Sequence, residues 1–122
     1  MYKGVPQNDL GKRTDVLENI PKSIGMRMLI RSMSPKIIAA DEIGNMDEIE
    51  PINYAICSGV KCIFTAHGSC LEDIYLNPMI NKLLKGNLFE RIIFLNDKFK
   101  KAAIDKVYFL NKEILEYTSM EW

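Results

Sequence analysis

An α/β fold, with a mostly parallel sheet flanked by helices, is predicted by three features of this sequence. Two short apolar runs read as strands: Lys36–Ala40 (KIIAA), of the kind buried on both faces, and Val60–Thr65 (VKCIFT). The interval between them is long enough for one crossover helix, which makes a βαβ unit with parallel strands. The first run ends abruptly in Asp41-Glu42, which puts acids at the carboxyl end of a strand, the working surface of open α/β sheets.

The remaining elements follow from periodicity and punctuation. Residues 1–20, with Gly4, Pro6, Asn8, Asp9 and Gly11, hold little apolar periodicity and read as a loop or arm. From Pro21 to Ser34, Met26, Leu29, Ile30 and Met33 fall at helical spacing and Pro35 closes the segment; Met26, Met28 and Met33 read as core and gap-filling residues. Asn45 and Glu48 resemble a helix start, with Pro51 marking a beginning or a kink and Gly59 a stop. Ser69-Cys70-Leu71-Glu72 reads as a capping box opening a helix. Asn77-Pro78 breaks that helix before a second one carrying Met79, Ile80, Leu83 and Leu84, which Gly86 ends. Arg91–Leu95 is a third strand and Val107–Leu110 a fourth, after a basic linker with Lys98, Lys100, Lys101 and Lys106. The organisation is thus an arm (1–20), an α/β core (21–96) and a C-terminal strand extension (97–122).

The bulk properties narrow the function classes. With 122 residues and 48% hydrophobic content the chain can build one modest core. Sixteen basic residues balance sixteen acidic ones, so no global field gathers nucleic acid or an anionic membrane. No segment approaches the roughly 18 apolar residues of a membrane helix, and the N-terminus lacks a signal-peptide core. The chain reads as cytoplasmic, at most peripheral to the inner face of a membrane. Cys57, Cys62 and Cys70 form an odd set without a CxxC pair, which fits free thiols. Together with His67 they have ligand types that suit zinc, but Cys62 and His67 flank an extended strand and stand roughly 16 Å apart, too far to share an ion.

The chemistry sits at two neighbouring strand ends. The first presents Asp41 and Glu42, the second Thr65 and His67, in the manner of a Walker B and sensor pair. An Asp after an apolar strand can hold Mg²⁺ through a water, and the adjacent carboxylate can orient the water that attacks a γ-phosphate. Thr65 and His67 have the groups to hydrogen-bond that water or the phosphate. The pattern by itself is shared by many strand ends that carry only solvated turn acids, and a lone histidine is often structural.

A longer ordered set of motifs bears on this choice. It comprises Gly4-Val5-Pro6-Gln7-Asn8-Asp9, Arg13-Thr14-Asp15-Val16, Met28-Leu29-Ile30-Arg31-Ser32-Met33-Ser34-Pro35, Asp41-Glu42-Ile43-Gly44, Thr65-Ala66-His67-Gly68-Ser69, Leu71-Glu72-Asp73 and Phe89-Glu90-Arg91. From about Tyr2 to Leu95 the chain resembles the stage III sporulation protein AA family. The resemblance implies a RecA-like ATPase core related to type II and type IV secretion and pilus ATPases, here as its C-terminal part. It also implies ATP and Mg²⁺ as cofactors, a homo-oligomer, and other subunits of the channel between mother cell and forespore as partners. In such relatives an Arg before the Walker B strand, a Glu after it and a Thr-x-His segment recur, which correspond to Arg31, Glu42 and Thr65-Ala66-His67. Many secretion ATPases carry Gly where Asp41 stands, so Asp41 follows the more general P-loop pattern. Arg13 and Arg91 are further candidates for phosphate contact, ranked below Arg31, with a surface ion pair the simpler fate of any one of them.

The phosphate-binding loop itself is not readable in the chain. GxxxxGK[ST] is needed so that consecutive backbone N–H groups wrap the phosphates. Gly11-Lys12 fails at both ends, with Pro6 in place of the first Gly and Arg13 in place of Ser/Thr. By the layout of the resembled family that motif lies upstream of residue 1, so the chain reads as a truncated or mis-called piece, inert alone. The central strand is then expected to be missing between the second strand and the later one, leaving open edges and an exposed apolar groove. Two other functions stay open: a non-hydrolysing scaffold docking onto channel subunits, and a single-strand nucleic-acid ATPase that uses the basic linker.

Overall fold

The computed structural model describes residues 17, 19–96, 103–111 and 116–120. The arm at 1–16, Arg13 included, and Lys98, Lys100 and Lys101 lie outside the described residues.

Helix α1, Lys22–Met33, starts after Pro21 and stops at Ser34, whose left-handed backbone (φ 45°) precedes Pro35. It buries Gly25, Met26 and Ile30, with Leu29 packed beside them. Met28 and Met33 are 46% and 55% exposed, so of the three methionines expected in the core only Met26 lies there.

Strand β1, Ile37–Ala40, is followed by a 3-10 turn at Met46–Glu48 and helix α2, Ile49–Cys57. Pro51 falls in the first turn of α2, where its missing N–H costs little. Gly59 (φ +84°) then reverses the chain into β2, Lys61–Phe64. The two strands pair in parallel with Ile37 against Lys61 and Ala40 against Phe64, as the βαβ reading predicts.

Burial on both faces, expected of β1, is not what the structure shows. Ile38, Ala40, Cys62 and Phe64 face the helices, while Ile37 and Ile63 on the other face are 59% and 63% exposed. The described helices pack against one face only. Among the described residues β1 and β2 pair only with each other, which agrees with the expectation of open edges.

Helix α3, Leu71–Ile74, and helix α4, Pro78–Lys85, follow. The N-cap of α3 is Cys70, one residue later than the capping box predicts, and Asp73 rather than Glu72 reaches back to Ser69. The Asn77 side chain accepts from the Met79 and Ile80 amides at 2.9 and 3.2 Å, Pro78 takes the first helical position, and Met79, Ile80, Leu83 and Leu84 are buried as expected.

The C-terminal part corrects the expectation of a mostly parallel sheet. Strands β3 (Arg91–Asn96), β4 (Ala103–Asn111) and β5 (Glu116–Met120) form a separate antiparallel sheet in the order β3-β4-β5. The reason is spacing: the intervals 97–102 and 112–115 are too short for a parallel crossover of a dozen or more residues. Phe94 packs edge-on against Tyr108 at 5.8 Å, and Phe94 joins the core built by Met26, Ile38, Ile52, Met79 and Leu83. Phe64 of β2 meets Phe89 at 5.9 Å, and Tyr117 of β5 donates to the Phe89 carbonyl, which ties the two sheets at one place. No helix among the described residues is long and apolar enough to cross a membrane.

Candidate functional site at the strand ends

Parallel pairing continues one step beyond β1 and β2, through Thr65 N–H to the Ala40 carbonyl (3.2 Å) and Ile43 N–H to the Thr65 carbonyl (2.9 Å). This extension brings the segment Asp41–Ile43 alongside Thr65–His67. Ile43 is buried and anchors the loop, while Asp41 and Glu42 face solvent.

Glu42 is held on three sides. Its N–H donates to Thr65 Oγ1 at 2.9 Å, its carbonyl accepts from Lys22 Nζ at 2.6 Å, and its Oε1 lies 3.3 Å from His67 Nε2. Its backbone is left-handed, with φ 49°. For a glutamate this conformation is strained by about 1 kcal/mol and persists where neighbours determine it.

The loop after the acids has its own internal support. Glu48 is 1% exposed, and its Oε1 accepts from the Gly44 and Asn45 amides at 2.9 and 2.7 Å. On the other strand, Gly68 lets the chain leave His67 close to α3: a Cβ there would stand 2.1 Å from Ile74 Cγ2. Ser69 is then fixed by its N–H and hydroxyl, which both donate to Asp73 Oδ2. A hydrogen bond from the backbone, and then Cys70, hold the neighbouring Glu72 carboxyl below the usual carboxylate range.

The structure therefore brings together Glu42, Thr65 and His67, with Asp41 adjacent, and leaves Arg31 apart. Lys22, at the first turn of α1, is the residue beside Glu42, and Arg31 lies nine residues further along, about 14 Å down the helix axis. Arg91 is at the start of β3, 3.8 Å from the Glu90 carboxylate. Lys22 and Glu48 carry the site's geometry without having been singled out for it. The Asn45 to Glu48 spacing signals the latter as a cap, whereas nothing in the sequence pattern signals Lys22.

Chemically, two adjacent exposed carboxylates suit a hard, hydrated cation such as Mg²⁺, which keeps several waters and needs only one or two protein carboxylates. Among the described residues no three His, Cys, Asp or Glu side chains converge into a cage. Asp41 and Glu42 offer oxygen donors of the type such a cation takes.

Comparison with known proteins bears on the family. The sequence model for the family described as "Sporulation stage III, protein AA" matches residues 1–115. The chain belongs to the stage III sporulation protein AA family. It is 33% identical over 117 residues to the stage III sporulation protein AA of Bacillus subtilis (strain 168), across 96% of this chain. The chain spans 38% of the length of that family member. No solved structure matches it.

Proposed function

We propose that this chain supplies the metal- and water-handling side of a RecA-like ATP-hydrolysing site in a sporulation motor, with the phosphate-gripping loop carried outside these residues. The observation that carries the reading is the meeting of Glu42, Thr65 and His67 at neighbouring ends of two parallel strands, beside Asp41. When bound, Mg·ATP supplies the phosphoanhydride to be cleaved and a cation that neutralises charge on it. Asp41 would hold the cation through a water. The Glu42 carboxylate orients a water and accepts its proton, and His67, at hydrogen-bond range of Glu42 Oε1, keeps that carboxylate aimed. Thr65 Oγ1 already accepts the Glu42 N–H, which leaves its own O–H to donate outward. Arg31 enters this reading as a phosphate contact made across an interface with a neighbouring copy, which makes the working form an oligomer. Its partners on this reading are the other subunits of the sporulation channel.

The test compares this chain with a form extended by the coding sequence that precedes residue 1. An in-frame GxxxxGK[ST] there, with ATP turnover that falls about a hundredfold or more in Glu42→Gln while nucleotide binding persists, is the expected result. Turnover unchanged by that substitution would sink the reading. A second reading, a scaffold that docks onto channel subunits without hydrolysis, is favoured by the lack of GxxxxGK[ST] in the 122 residues. It predicts that the extended form binds no nucleotide at all.

A further inference from the structure

Four non-glycine residues among those described have positive φ: Asn19, Ser34, Glu42 and Asn87. Asparagine tolerates this region, and Ser34 is the left-handed residue that ends α1. Glu42 has neither excuse. Its conformation is set from outside, since both its backbone polar groups are taken by side chains of other elements, the N–H by Thr65 and the carbonyl by Lys22.

Helix α1 has docking contacts that do not involve Lys22. Met26 and Ile30 bury the inner face of α1, Ser23 Oγ donates to Asp47 Oδ2 at 3.1 Å, and Arg27 pairs with Glu50 at 2.6 Å. The ammonium of Lys22 is spent instead on one carbonyl, that of the residue whose carboxylate meets His67. We propose that Lys22 is a positioning residue: it fixes the left-handed backbone of Glu42 and thereby aims the Glu42 carboxylate at His67. This deepens, and rests on, the reading of Glu42 as the water-orienting group.

The test is conformational and uses this chain without nucleotide, so it can fail separately from the ATPase reading. Lys22→Met removes the donor and keeps the side-chain length, Lys22→Arg restores a donor, and Glu42→Gln marks the uncharged state. Nuclear magnetic resonance reads φ at residue 42 from its N–H to Hα coupling, and the ring of His67, the single histidine, from its Cε1–H shift. In Lys22→Met residue 42 leaves the left-handed region and the ring signal moves toward its position in Glu42→Gln, with the melting temperature unchanged. Lys22→Arg keeps the wild-type signals. A left-handed Glu42 and an unmoved ring in Lys22→Met overturn the proposal, and so does unfolding of that variant, which would make Lys22 a structural tie. In the extended form Lys22→Met lowers kcat about tenfold to a hundredfold with KM unchanged. If the conformational result holds and turnover proves independent of Glu42, the ATPase reading fails and the positioning stands.

Discussion

Glu42 Oε1 and His67 Nε2 stand 3.3 Å apart while their side chains are 66% and 90% exposed. Such a pair is screened by water and adds little to folding. A double-mutant cycle with Glu42→Gln and His67→Asn, followed by urea denaturation, is expected to give a coupling of about 0.5 kcal/mol or less. A coupling several times larger would mean that the pair is a stability device, and the case for a chemical role would weaken.

Glu48 behaves oppositely. It is buried, its Oε1 holds two amides of the loop after the acids, and its Oε2 has no hydrogen-bond partner. Glu48→Ala leaves the Gly44 and Asn45 N–H groups without an acceptor and opens a cavity, at an expected cost of about 3 kcal/mol. Glu48→Gln keeps the Oε1 acceptor and is expected to cost roughly 1 kcal/mol. Denaturation midpoints of the two variants check the order.

Tyr117 sets an alkaline limit. Burial, the largest influence, pushes its hydroxyl up to about 12 from the ordinary 10.0. The folded state therefore keeps the phenol proton after the unfolded chain has lost it. The stability this contributes is complete below pH 10, falls as pH rises through the interval from 10 to about 12, and is gone above it. Melting temperatures of the wild type and Tyr117→Phe across that interval should converge as pH rises. Parallel curves would show that Tyr117 titrates normally.

Much of the βαβ unit was legible because its signals are local. The apolar runs at Ile37–Ala40 and Lys61–Phe64, the Asn77-Pro78 start of α4 and the stop at Gly59 all depend on neighbours in the chain. So does the placement of Asp41, Glu42, Thr65 and His67, which follow directly after their strands. Lys22 was not legible, because the bond from its long side chain to Glu42 is decided by how α1 lies on the sheet. The same packing decides that the first turn of α1, and not the turn with Arg31, meets the acids. Exposure of Ile37 and Ile63 was equally hidden, since an apolar run reads alike whether one face is covered or two. The antiparallel C-terminal sheet was hidden, because the sequence signals only Val107–Leu110 of β4 and sets no bounds for β5, and the short intervals at 97–102 and 112–115 follow from the full strands.

The bare side of β1 and β2 gives the charged residues around them a second task. Among the described residues β1 pairs with β2 alone; an apolar strand with such an edge is a template for stacking against other copies, and natural sequences interrupt such segments with gatekeepers. Lys36 precedes β1, Asp41 and Glu42 follow it, and Lys61 opens β2. Asp41 and Glu42 thus stand where gatekeeper charges stand, at the end of an apolar strand. Neutralising these two carboxylates is therefore expected to expose the chain to precipitation, a cost independent of any chemistry they perform.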